Sequence, residues 1–204
     1  MFSVKREKKE NSMVVLKFII WVAVAYFIGN ISPSILLGKA MGVDIKKEGS
    51  GNAGTTNALR VLGKKAALIT LVIDIAKGVL AVWLGFRFGN DTIGMVCALA
   101  VFCGHIWPCF YNFKGGKGVA TAFGAILAIN WVLALVLLLI VAIGLLLTRR
   151  MSAGSLLGAV TFPLCCWFFE PEFIYVGSVM AVIVIIKHRA NIMRLIKGEE
   201  PKMF

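Results

Sequence analysis

Apolar residues run through this chain in long blocks, cut by short islands of glycine, hydroxyl, amide and basic side chains. The blocks cover residues 14–37, 66–86, 93–111, 119–129, 131–147, 155–169 and 173–186. They show no ten-residue alternation of apolar and polar positions, so they predict helices rather than the strands of a barrel. In the first block Asn30, Ser32, Pro33 and Ser34 interrupt the run and predict a kink that turns polar groups towards a cavity. The block at 119–129 is too short to cross ~30 Å of hydrocarbon at ~1.5 Å per residue. Either it joins 131–147 as one tilted helix, or it crosses as a thin segment with a tight turn at Asn130. Five, six or seven crossings stay open.

Composition places these helices in a membrane. Of 204 residues 59% are hydrophobic and only 16% charged, whereas a soluble domain of this length needs far more polar surface. The expected fold is an all-α polytopic membrane protein of about seven transmembrane helices. A basic N-terminal tail over residues 1–13 precedes a single integral-membrane domain over 14–204, with no internal repeat. No small-residue cleavage site follows the first block in good position, so it reads as a span and not as a signal peptide. The five cysteines lie in apolar blocks without C-x-x-C spacing and read as buried thiols.

Lys and Arg number 22 against 10 Asp and Glu, a formal net charge of +12. With no soluble basic domain to carry nucleic acid, that excess points to topology, anionic lipid and anionic substrates. If 119–129 crosses, the loops 39–65, 113–118 and 149–150 and the tail from Lys187 share one face. That face holds fifteen basic residues and the opposite loops hold only Arg87, so the positive-inside rule puts it in the cytoplasm. The N-terminal tail, with Lys5, Arg6, Lys8 and Lys9, then falls outside, against the same rule.

Three polar islands carry the candidate chemistry. The first runs from Glu48 to Arg60 and contains Gly49, Gly51 and Gly54, followed by Thr55, Thr56 and Asn57 as capping residues for a helix beginning at Ala58-Leu59-Arg60. A glycine-rich loop entering a helix suits a phosphate, and Arg60 adds a planar fork able to grip one with two hydrogen bonds. Gly49 to Gly54 also spells the dinucleotide fingerprint G-x-G-x-x-G, with Asp74 at the expected distance, but Asp74 lies in an apolar block and not in a βαβ unit. An ordinary flexible loop is the plainer alternative. The second island holds Gly104-His105 and then Lys114-Gly115-Gly116-Lys117-Gly118, two ammonium groups on a yielding backbone before a helix that opens at Val119. Here the alternative is a turn whose lysines anchor helix ends. In the third island His188 and Asn191, three apart, share a face of a helix leaving the membrane, and Gly198 and Glu200 follow. Asp74 and Lys77 lie inside the second block, and mutual neutralisation beneath the first loop is the preferred reading.

Taken in order, Gly-Ser-Gly-Asn-Ala-Gly-Thr-Thr-Asn…Arg, Gly-His-x-x-Pro…Phe-Lys-Gly-Gly-Lys-Gly-Val-Ala-Thr and His-Arg-x-Asn-Ile-x-Arg-Leu-x-x-Gly-x-Glu resemble the three motifs of the bacterial acyl-phosphate:glycerol-3-phosphate acyltransferase family (PlsY). The resemblance spans about residues 28 to 200. It implies a seven-helix enzyme of the bacterial inner membrane with a cytoplasmic active site. Such an enzyme moves a fatty acyl group from acyl phosphate to glycerol-3-phosphate and releases phosphate and lysophosphatidic acid. It points to Ser50, Arg60, Lys117, His188 and Asn191 as catalytic, and to Gly51, Asn52, Gly54, Thr55, Thr56, Asn57, His105, Gly115, Gly116 and Gly118 as substrate-binding. No cofactor or metal is implied; a soluble enzyme that makes acyl phosphate is a candidate partner.

The residues agree with that chemistry. Two phosphate-bearing substrates call for two loops and two cations, and holding an activated acyl phosphate against a hydroxyl supplies much of the acceleration. Phe110 stands five residues after His105 and Met193 five after His188, so the acyltransferase class built on a His-x-x-x-x-Asp dyad is excluded. A substrate phosphate taking the hydroxyl proton and His188 acting as general base are rival routes. From another class, a small anion transporter would reuse the same loops, but it calls for polar groups near the bilayer midplane and related halves.

Overall fold

The computed structural model describes residues 2–204, with side chains from residue 12 onward, so the side chains of Lys5, Arg6, Lys8 and Lys9 lie outside the described residues. Helix α1 (Phe2–Gly29) ends where the sequence turns polar: Asn30 is buried and its Nδ2 donates to Tyr26 O at 2.8 Å. Pro33 opens α2 (Pro33–Ala40) and holds Ser32 in an extended conformation, so the predicted kink is a full break. After the first loop come α3 (Thr55–Val61), α4 (Lys64–Phe88) and α5 (Asp91–Ile106), the last capped by Asn90, whose side chain accepts from Ile93 N. α5 stops before Pro108, five residues short of the apolar block, and a 3-10 turn follows at Cys109–Tyr111. Then follow α6 (Val119–Ile129), α7 (Trp131–Thr148), α8 (Met151–Phe169), α9 (Ile174–Lys187) and α10 (Arg189–Ile196). The Asn130 side chain accepts from Val132 N and Leu133 N, which makes the turn between α6 and α7 tight, as the sequence allowed.

Among the described residues five segments are long and apolar enough to cross a membrane, α1 and α2 counting together as one from Ser12 to Ala40, and six if the pair Pro171–Lys187 and Arg189–Ile196, bent by 57°, counts as one span. A seventh crossing depends on α6. This helix meets α4 at Gly78 and Gly124, where a Cβ on either glycine would collide with the backbone of the other helix. The crossing lies near the middle of both. Along its own axis α6 begins five residues before Gly124, ~8 Å, whereas α4 begins fourteen residues before Gly78, ~21 Å. Measured from the crossing, the arm of α6 leading back to Gly118 is thus much shorter than the arm of α4 leading back to Gly63.

Phe102, Phe173, Leu133, Val101 and Met180 form the centre of the main core between these helices. A smaller cluster of Ile35, Ile45, Ala53, Ala58, Leu62, Ala66 and Ala67 lies under the first loop and fixes it on α2, α3 and α4. Close approach of small residues drives such packing, because lipid gives helices no hydrophobic reason to associate. Gly124→Val is expected to cost about 1–3 kcal/mol by forcing α4 and α6 apart, read as a lower thermal-unfolding midpoint in detergent. Gly158→Ala, whose new methyl meets only the Val141 side chain, should cost less. Equal losses would contradict backbone contact at the α4–α6 crossing.

Candidate active site

The first loop is organised from inside by one amide. Asn57 is 1% exposed; its Oδ1 accepts from Ser50 N at 2.8 Å and its Nδ2 donates to Ile45 O and Glu48 O, both at 3.1 Å. All the hydrogen bonds its amide hydrogens can make are spent within the loop, so Asn57 shapes the site and does not offer its donors to a substrate. The helix also begins earlier than the sequence implied. Gly54, extended, is the cap; Thr55, Thr56 and Asn57 form the first turn, and Arg60 falls in the last turn of α3, not the first. A glycine at the cap accounts for the shift, since α3 starts without a side-chain cap and ends before Gly63. Ser50 and Arg60 are exposed, and Arg60 has no hydrogen bond or ion pair among the described residues. Gly51, Asn52, Gly54, Thr55 and Thr56 are half-buried around them.

The second loop is held from below by a buried charge cluster. Lys77 Nζ lies 2.8 Å from Asp74 Oδ1 and 2.8 Å from His105 Nδ1, and donates to Gly29 O at 3.1 Å and Ile31 O at 2.7 Å. Three N–H donors cannot serve all four neighbours, and His105 Nδ1 also lies 3.3 Å from Asp74 Oδ1, so the ring is held between Lys77 and Asp74 through Nδ1, leaving Nε2 on its far side. That nitrogen packs against Gly116, where a Cβ would strike both the ring and Ala53 O. Gly116 N donates back to His105 O at 3.1 Å and Gly115 N to Ile106 O at 3.0 Å. His105, expected from the resemblance to bind substrate, is 6% exposed, and its ring packs under the glycines of the second loop. The Asp74–Lys77 pair does neutralise itself, but beneath the second loop and the α1–α2 break. Gly118, at φ +83°, turns the chain into α6 immediately after Lys117.

The third island closes on the second through Lys117. Its Nζ donates to Asn191 Oδ1 at 2.5 Å, and Asn191 Nδ2 donates to Glu200 Oε1 at 2.6 Å. Glu200, 5% exposed, also accepts from Ser152 Oγ at 2.7 Å and from Arg194 Nε at 2.6 Å, while Arg150 Nε donates to its backbone carbonyl. Burial alone would raise the Glu200 carboxyl, but the hydrogen bonds from Asn191, Ser152 and Arg194 and the Arg194 charge outweigh it and hold it below its usual range. Burial pulls the Lys117 ammonium down to about 8, with Arg194, Arg60 and Lys187 adding repulsion and Glu200 opposing it. His188 is buried at the joint between α9 and α10, and its Nδ1 lies 2.8 Å from Val184 O. A carbonyl only accepts, so Nδ1 carries the proton and Nε2 keeps a free lone pair. Burial and the nearby Lys117 charge push this imidazole down to about 4, so it is neutral at pH 7.

Ala53 against Gly116, Lys46 Nζ on Tyr111 O at 3.0 Å and Lys117 on Asn191 bring all three islands together at one end of the bundle. Sequence reasoning missed the part played by Ser152 and Glu200, which orient Asn191 and touch none of the glycine loops. The available signal was an acidic residue in a basic tail.

Comparison with known proteins gives one answer. The family model for glycerol-3-phosphate acyltransferase matches residues 19–198. The chain is 44% identical to a glycerol-3-phosphate acyltransferase of Finegoldia magna over 192 residues, 92% of this chain and 97% of that one. It is 40% identical to the one from Cronobacter sakazakii, over 90% of each chain. The crystal structure of PlsY, an integral membrane glycerol 3-phosphate acyltransferase, in its glycerol 3-phosphate form is similar with a TM-score of 0.87 at 31% identity, covering 92% of this chain and 96% of that one. Its lysophosphatidic acid form gives 0.84.

Removing the Glu200 carboxylate leaves Arg194 Nε and Asn191 Nδ2 without an acceptor. Glu200→Ala should therefore cost about 3 kcal/mol of stability, the low end for a broken buried pair because Arg194 is partly solvated. Ser152→Ala removes one hydrogen bond to the same carboxylate and should cost about 1.5–3 kcal/mol at most. Thermal unfolding of both purified variants measures this, and a larger loss for Ser152→Ala would contradict the ordering.

Proposed function

The chain belongs to the glycerol-3-phosphate acyltransferase family, and on that premise we propose how its three islands divide an acyl transfer from acyl phosphate. The enzyme joins a fatty acyl group to glycerol-3-phosphate. In the proposed reaction the C1 hydroxyl oxygen attacks the acyl carbonyl carbon, the carbon–oxygen bond to phosphate breaks, and inorganic phosphate leaves with lysophosphatidic acid as the lipid product. Arg60 and the first loop, with Ser50, hold the phosphate of glycerol-3-phosphate. Lys117 and the Gly115–Gly116–Gly118 backbone hold the acyl phosphate and stabilise the charge that grows on the carbonyl and leaving oxygens.

The observation that carries this reading is the chain Lys117–Asn191–Glu200 beside His188. It joins a cation for phosphate to an oriented amide, with the His188 imidazole close enough to feel the Lys117 and Glu200 charges. The imidazole supports one of the two proton routes. At about 4 it is a weak base, whereas a phosphate monoester dianion takes up a proton near 6. His188 Nε2 accepts a hydrogen bond from the hydroxyl and aims it; a substrate phosphate receives the proton. The protein is multi-pass, and we place it in the bacterial inner membrane with seven crossings and the basic face in the cytoplasm. In this reading residues 14–204 form one catalytic domain after a basic tail over 1–13, and a soluble enzyme making acyl phosphate supplies the donor.

Purified protein given glycerol-3-phosphate and acyl phosphate should form lysophosphatidic acid. Arg60→Lys keeps the charge but loses the fork, so kcat/KM should fall roughly ten- to a hundredfold, at about 1.5–3 kcal/mol for one charge-assisted hydrogen bond. The loss should appear mainly in KM for glycerol-3-phosphate. A change confined to the donor's KM would reverse the assignment of the two phosphates.

Lys117 predicts a pH limb. Its ammonium is charged below about 8 and neutral above it, so kcat/KM, which reports the free enzyme, should decline as pH rises through about 8. Lys117→Arg keeps its charge throughout and should remove that limb even where the rate is lower. A wild-type profile flat to pH 9.5 would contradict a phosphate-binding role for this ammonium.

A further inference from the structure

We propose that Lys39, Lys46 and Lys114, gathered around Tyr111, form a binding site for the headgroup of an anionic phospholipid. The three come from separate segments: the last turn of α2, the first loop and the second loop. Lys39 Nζ lies 5.8 Å and Lys46 Nζ 5.3 Å from the centre of the Tyr111 ring, and Lys46 Nζ donates to Tyr111 O at 3.0 Å. Two of these charges meet on one ring and the Lys114 charge acts on Lys46 beside it, so the three repel each other. Burial and the charges of Lys114 and Lys39 hold the Lys46 ammonium below its usual value, opposed by Asp44. Asp44 is the carboxylate within reach, and it also faces Lys47 at 3.9 Å and accepts from Lys46 N. The cluster is therefore short of negative charge, which a phosphate would supply.

Its surroundings favour a lipid over a soluble anion. Lys39 lies three residues beyond exposed Leu36 on α2, so it continues a lipid-facing stripe of that helix. Beside Tyr111, Phe110 is 70% exposed and stacks at 5.9 Å on Phe27, itself exposed on α1. Phe113 is exposed on the other side. Lysines above a belt of aromatic rings at the ends of spans match the interface, with the acyl chains below and the phosphate among the ammonium groups. The acyl transfer proposed above uses Ser50, Arg60, Lys117, the glycine backbone, Asn191 and His188 but none of these three lysine side chains, so this site and that reading stand or fall separately.

The test is binding of phosphatidylglycerol, with phosphatidylcholine for comparison, to purified protein in mixed micelles, followed by native mass spectrometry and by the lipid-dependent shift in unfolding temperature. Lys39→Gln, Lys46→Gln and Lys114→Gln together should weaken phosphatidylglycerol binding roughly a hundredfold, about fivefold per lysine. Lys64→Gln, Lys65→Gln and Lys197→Gln remove the same charge elsewhere and should change it less than about threefold. If the triple variant does not fold, Lys39→Gln and Lys114→Gln, both at exposed positions, should each give the fivefold loss. Equal losses in both triple variants would reduce the effect to diffuse attraction and overturn the proposal. Displacement of the lipid by millimolar inorganic phosphate, or by poly-glutamate binding more tightly than the lipid, would assign the patch to a free anion or an acidic protein and overturn it as well.

Discussion

An ammonium group halfway along a membrane helix has no water to turn to, and Lys77 is such a group. Hydrocarbon penalises each unpaired polar atom by several kcal/mol, so the chain has to bring partners to it. It brings Asp74 from one turn away, His105 from the end of α5, and the carbonyls of Gly29 and Ile31 from the break between α1 and α2. One side chain thus ties three helices together at the level where α6 crosses α4. The break at Asn30 to Ser32 is tolerated there because its freed carbonyls have a donor. The same cluster fixes the His105 ring against Gly116, and so sets where Lys117 begins.

At the end where the three islands meet, the logic repeats with a carboxylate at the centre. Glu200 gathers an amide, a hydroxyl and a guanidinium, and through Asn191 it reaches Lys117. The amide has one orientation that satisfies both neighbours: nitrogen towards Glu200, oxygen towards the ammonium. Stability and chemistry are joined in that arrangement, because the groups that would meet phosphate are aimed by groups that never touch it. His188 is prepared in the same way, its protonated nitrogen spent on Val184 O and its lone pair left free.

Much of this was legible in the chain. The apolar blocks at 66–86, 131–147 and 119–129 lie within or coincide with α4, α7 and α6, since a bilayer leaves helix as the only solution for such runs. The three islands pointed to phosphate-bearing substrates through their glycines and cations, and the relatives are glycerol-3-phosphate acyltransferases. Boundaries set by local chemistry were harder. Gly54, not a hydroxyl residue, caps α3, and Pro108 ended α5 before its apolar block ran out.

By itself, then, the sequence determined what depends on composition and local backbone preference: helices, a membrane, the polar islands and the residue types able to grip phosphate. Tertiary structure alone decided which partners each of those residues meets. Asn57 and His105 carry the same functional groups as Asn191 and His188, and all four are buried, but Asn57 holds the backbone of the first loop and His105 packs between Lys77 and Gly116, whereas Asn191 bonds the Lys117 ammonium and His188 uses only Nδ1, on Val184 O. The physical reason is that a polar side chain's role is set by which partners saturate it. Those partners come from residues such as Lys77, Ser152 and Glu200, some of them distant in sequence and close only after the helices pack.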